Sequence, residues 1–154
     1  MAQARSGRAL LGLTILAAPG ALAFETLLRK LLFPVLVPEF ELIREFFAPM
    51  LTPVAYVVSV FIALFAVVGL LLQKRMSEKR LAKLPEDADR DMRFRAILGV
   101  FLLTSSVPQI PTILSTFAYM FGASLVPVLI GIGLCSLGVV AQAVRVTKLS
   151  EPPR

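Results

Sequence analysis

Three stretches of this chain, residues 46–72, 96–117 and 122–144, contain no Asp, Glu, Lys or Arg. A helix needs about 20 predominantly apolar residues to cross the hydrocarbon core of a bilayer, and each stretch is long enough. The chain as a whole agrees: 57% of its 154 residues are hydrophobic, against roughly 45–50% in an ordinary soluble domain. Its mean hydropathy is +0.83. The expected solvent is lipid, and with a fourth span the 154 residues leave no room for a separate soluble domain.

A fourth span is expected in ALLGLTILAAPGALAFE, residues 9–25, although these letters have two readings. Arg5 and Arg8 before an apolar run, a Pro19-Gly20 break and then Ala21-Leu22-Ala23 resemble a cleaved secretory signal. The same residues, continued to about position 28, make a first membrane helix. An internal likeness favours the helix. RALLGLTIL (residues 8–16) and RAILGVFLL (95–103) share Arg, Ala, Leu and Gly at their first, second, fourth and fifth positions, and each then reaches a proline. FAPMLTPV (47–54) and FGASLVPV (121–128) share Phe, Leu, Pro and Val in the same order. The expected fold is therefore an all-α integral membrane protein of four transmembrane helices at about 9–28, 48–72, 96–117 and 122–144, built as two tandem hairpins in parallel repeat.

Charge sets the expected orientation. All but three of the sixteen Lys and Arg residues lie in the N-terminus, the 74–95 loop or the C-terminal tail, and the exceptions are Arg29, Lys30 and Arg44. The positive-inside rule puts both termini and the 74–95 loop in the cytoplasm, as in an inner-membrane protein. This distribution, beside the spans, explains the net charge of +6 without nucleic acid.

The outer connection, residues 29–47, contains Pro34 and Pro38 and then a short amphipathic pattern at 39–47, expected to lie in the interface. The apolar LLFPVLVP could instead dip into the bilayer as a re-entrant turn. Glu25 and Arg29 are expected as an exposed local pair at the outer end of the first helix. Inside, Pro85 followed by acids predicts a helix start, with Glu86/Arg90, Asp89/Arg93 and Asp91/Arg95 spaced four apart. Lys79, Arg80 and Lys83 form a candidate cytoplasmic docking group for a partner or anionic lipid.

Little chemistry is expected. There is no histidine, and the single Cys135 sits in an apolar span as a small buried thiol. No span contains a carboxylate pair, and no Cys-x-x-Cys or Gly-rich phosphate loop occurs. Neither a cofactor, a metal nor an enzymatic activity is expected. The most polar helix is the third, where Ser105, Gln109, Thr112 and Thr116 recur at helical spacing beside Pro108 and Pro111. That face could line a permeation path or satisfy carbonyls freed by the prolines. Small residues mark two packing stripes, Gly131, Cys135 and Gly138 (with Gln142) on the fourth span and Ala55, Ser59 and Ala63 (with Ala66) on the second. The leading expectation is an accessory, assembly or scaffold subunit in contact with the bilayer and with other subunits or its own copies. The rival is a small homo-oligomeric channel or transporter.

Overall fold

The computed structural model describes residues 2–32, 37, 39–85 and 88–150. Pro34, Pro38, Glu86 and Arg154 lie outside the described residues, and with them the re-entrant reading of 31–38 and the Glu86/Arg90 pair; so do the side chains of Arg5 and Arg8. The chain is all-helical in its described elements: α1 is Ala2–Leu31, α2 Phe40–Leu81, α3 Arg90–Met120 and α4 Leu125–Leu149. All four are long and apolar enough to cross a membrane.

Helix directions alternate. Gly7 of α1 abuts Phe94 at the start of α3, whereas Arg29 of α1 meets Tyr119 at its end, so these two helices run in parallel. α2 and α4 run the other way, with Ser59 bonded to Pro127 and Gln73 to Gln142. The start of α1, the end of α2, the start of α3 and the end of α4 therefore share one end of the bundle, the near end. The α3–α4 turn marks the far end.

α2, α3 and α4 pack tightly on one another, while α1 lies against α3 and α4 and barely touches α2. Small residues make the core close. On α2 the buried line is Ala55, Ser59, Ile62, Ala66, Gly69, Gln73 and Ser77. On α4 it includes Gly131, Cys135, Gly138 and Gln142. A Cβ built on Gly138 would stand 2.8 Å from Cβ of Ala66, and one on Gly131 2.8 Å from Cδ1 of Ile62. The two stripes thus face each other within a single chain, where small side chains let backbones approach. Ala63 is only half-buried. From Ala55 to Gln73 the buried line steps by four and three alternately, as left-handed helix packing requires, so Ile62 and not Ala63 occupies the seam.

No break separates an outer segment at 39–47 from the span: α2 is one helix of 42 residues. At 1.5 Å per residue this is about 63 Å, twice a bilayer core. Pro49 and Pro53 lie inside it, removing two backbone donors without ending the helix. What holds its first turns is α3. Arg44 Nε donates to Met120 O at 3.1 Å, capping a carbonyl at the end of α3, and Nη2 reaches Tyr119 O at 3.5 Å, which also accepts from Gly122 N. Gly122 in the α3–α4 turn has φ +121° and lies so close to α2 that a Cβ would stand 2.2 Å from Arg44 O. Only glycine fits there.

At the near end α2 continues through Ser77 to Leu81, and α3 begins at Arg90 and not near Pro85. Asp89 is the reason: its carboxylate accepts from Met92 N at 2.7 Å, an N-cap. Its side chain is thereby committed to the helix start, and spacing alone had suggested a pair with Arg93.

Candidate functional site

Pro108 and Pro111 leave the carbonyls of Thr104 and Val107 without their usual helical donors. Pro108 is buried, and Gly69 of α2 closes over this point; a Cβ there would stand 3.1 Å from Thr104 O. Thr104 donates within its own helix, to Val100 O at 2.9 Å, and lies 3.1 Å from Gln142 Oε1. Gln73 Nε2 donates to Gln142 O at 2.9 Å. One polar knot thus joins α2, α3 and α4. Gln73, Ser77 and Gln142 are fully buried there, yet Gln73 Oε1, Ser77 Oγ and Gln142 Nε2 have no hydrogen-bond partner among the described residues.

The four residues of the predicted polar face do not share one surroundings. Ser105 and Thr112 are buried, bonded back to Leu102 O and Pro108 O. Gln109 and Thr116 are half-buried and turn toward α1. Gln109 Nε2 donates to Thr14 O at 3.0 Å, a tether across the α1–α3 groove. Beside it lies a cleft of about 130 Å³ lined by Ala17, Ala18, Ala21, Gln109, Thr112 and Thr116, with Ile113.

This groove widens toward the far end into a second, almost wholly apolar cleft of about 270 Å³ that reaches Glu25. Glu25 is not an exposed helix-end residue: it is only 7% exposed. Arg29 Nε lies 3.8 Å from its Oε1. Arg29 Nη2 donates to the Tyr119 hydroxyl, and the guanidinium carbon lies 4.3 Å from the Tyr119 ring centre. That is within cation–π range, about 6 Å. Arg44 approaches the same ring at 6.0 Å while pairing with Glu41 at 2.9 Å. Tyr119 is the hub. Sequence reasoning paired Glu25 with Arg29 as an exposed helix-end pair but did not join Tyr119 to them, because Arg29 and Tyr119 are 90 residues apart.

At the near end Lys79, Arg80 and Lys83 are all exposed, the first two on the last turn of α2 and the third in the turn that follows. Cys135 is buried, packed in the α2–α3–α4 core.

Four helices of membrane-crossing length and apolarity, with Ser59, Thr104, Ser105, Thr112, Ser115 and Gln142 buried inside the bundle and many large apolar side chains exposed along it, suggest a multi-pass membrane protein. Comparison of this chain with protein-family models, curated proteins and solved structures finds no match.

Proposed function

We propose that this chain is a small non-catalytic subunit of an inner-membrane complex, acting as an accessory, assembly or scaffold element. Both termini and the 74–95 region lie in the cytoplasm, following the basic residues. The reading includes a duplicated hairpin; the matched residues of 8–16 with 95–103 and of 47–54 with 121–128 support it.

One observation carries the proposal. Gln109, the most polar residue of the proposed path, spends its amide on the Thr14 carbonyl, and Ser105 and Thr112 bond to their own helix. Gln109 thereby joins α3 to α1, while Ser105 and Thr112 are held within α3. The exposed Lys79, Arg80 and Lys83 supply a surface for an acidic partner. The bilayer and neighbouring subunits are the partners of this reading, and no cofactor enters it.

Native mass spectrometry after gentle extraction tests it. A complex with foreign subunits is expected, weakened when Lys79, Arg80 and Lys83 are all changed to Glu; unchanged co-purification would overturn the docking role. The Gln109 and Thr116 cleft favours the channel or carrier reading. Gln109→Leu should leave assembly intact, and a flux in liposomes that this substitution alters would decide for the carrier.

A further inference from the structure

The exposed apolar stripes of α2 and α4 both run into cations at the near end. On α4 the line Leu137, Val140 and Val144 continues at helical spacing into Lys148, and on α2 Val68, Leu71 and Leu72 continue into Lys74 and Arg75. Arg145, half-buried, comes just before Lys148. The bond from Gln73 Nε2 to Gln142 O sets the level of the two helices. Counted from that bond at about 1.5 Å per residue, Lys74, Arg75, Arg145 and Lys148 fall within a layer about 8 Å deep. That is close to the headgroup region, which adds about 5–8 Å to each side of a hydrocarbon core.

Charge at this level is unopposed. Among residues 73–81 and 142–150 the one acid is Glu78, and Lys74, Arg75, Arg145 and Lys148 make no ion pair or side-chain hydrogen bond among the described residues. The far end differs: Arg29 is bonded to Tyr119, and Arg44 to Glu41 and Met120 O. Cations bonded inside the fold need no outside anion, whereas unpaired ones at the rim of an apolar stripe call for anions at the same depth. We propose that Lys74, Arg75, Arg145 and Lys148 form a binding surface for anionic phospholipid headgroups in the near-end leaflet. Their aliphatic stems lie along the apolar stripes, and their charged heads reach the phosphate layer. A zwitterionic headgroup offers the same phosphate but brings its own ammonium, which these cations repel. The surface rests on the chain's residence in a bilayer and is separate from Lys79, Arg80 and Lys83, which come later in the chain, at and beyond the end of α2.

The test is native mass spectrometry of the full chain in detergent, titrated with phosphatidylglycerol or phosphatidylcholine of identical acyl chains. At about fivefold per cation near a membrane surface, phosphatidylglycerol should bind at least about tenfold more tightly. The preference should shrink as ammonium acetate is raised, because exposed charges are screened by salt. Changing Lys74, Arg75, Arg145 and Lys148 together to Gln should abolish the preference, and changing Lys79, Arg80 and Lys83 to Gln should leave it. Equal binding of the two lipids by the unaltered chain, a preference that survives the first set of changes, or its loss in the second would overturn the surface. Should the first set not fold, the pair Lys74→Gln with Arg75→Gln reads the same contact, and an undiminished preference there overturns it. Carbonate extraction of cell membranes separates the underlying reading: release of the chain would overturn bilayer residence itself, while retention with equal lipid binding overturns only the surface.

Discussion

Replacing Gly138 by Ala, alone and together with Ala66→Gly, measures whether α2 and α4 meet as described. The added methyl carbon would stand 2.8 Å from Ala66 Cβ and 3.5 Å from its Cα. Non-bonded carbons settle at about 3.5–4.0 Å, so the first contact is short by roughly 1 Å and the second is ordinary. Overpacking of this kind costs about 1–3 kcal/mol. Ala in place of helical Gly returns about 1 kcal/mol, leaving Gly138→Ala destabilised by about 0–2 kcal/mol. Ala66→Gly alone loses about 0.5–1 kcal/mol in backbone freedom, besides its contacts. In the double variant the short contact is gone and only the 3.5 Å one remains. The coupling between the two substitutions should therefore equal the overpacking cost, about 1–3 kcal/mol in the favourable direction. Denaturant titration of the four purified proteins in detergent, followed by circular dichroism, reads it. Coupling within about 0.5 kcal/mol of zero, the range of independent sites, would refute the α2–α4 contact; coupling that depends on protein concentration would move it between chains.

Gly122→Ala should cost about 3 kcal/mol, since it combines a φ of +121° with a Cβ 2.2 Å from Arg44 O; an unchanged midpoint in the same titration would remove the turn's role. Gln142→Leu deletes the Thr104 contact together with an unpartnered buried Nε2 and keeps the carbonyl that Gln73 uses, so stability should stay within about 1 kcal/mol. A loss above about 3 kcal/mol would mean that the amide has a partner of its own. Tyr119→Phe takes the acceptor from Arg29 but keeps the ring beneath it, and should cost about 1 kcal/mol while exposing α1 to proteolysis. Cleavage at the native rate would show that the hydroxyl does not hold α1.

What the residues disclosed and what they withheld divide by range. The charge-free runs locate three of the helices, because hydropathy is a property of one segment at a time, and the likeness of residues 8–16 to 95–103 adds the fourth. Helix ends were less legible. Residues 40–47 contain an amphipathic pattern and are followed by Pro49 and Pro53, which locally favours a break; Arg44 reaching the carbonyls of Tyr119 and Met120 overrides it. The α4 stripe was legible since Gly131, Cys135 and Gly138 are small at helical steps. Its α2 counterpart was read one position off at Ala63, because side-chain size cannot distinguish a seam stepping four and three from one stepping four and four. Glu25 was misjudged for the same reason of range: its burial comes from α3, and nothing in residues 9–31 shows that α3 is there.

The uneven packing of α1 links the sequence likeness to the cleft. If the two hairpins were equivalent in space, α1 would bury as broad a face as α3. Instead the buried side chains among its described residues are Leu11, Ala18 and Glu25, three positions seven apart. That is a seam one residue wide, while α3 buries ten residues. Gly7 against Phe94 fixes the near end, Gln109 on Thr14 spans the groove, and Tyr119 holds Arg29 at the far end. Between these tethers α1 stands off from α3, and the clefts are the space so left. Segments with few apolar contacts open at the lowest free energy. The matching residues of RALLGLTIL and RAILGVFLL therefore serve different ends: in α3 Ile97 is fully buried, whereas in α1 the equivalent Leu10 is 40% exposed. Held at these three points, with clefts beside residues 17–28, α1 is the helix of this bundle with the least packed face.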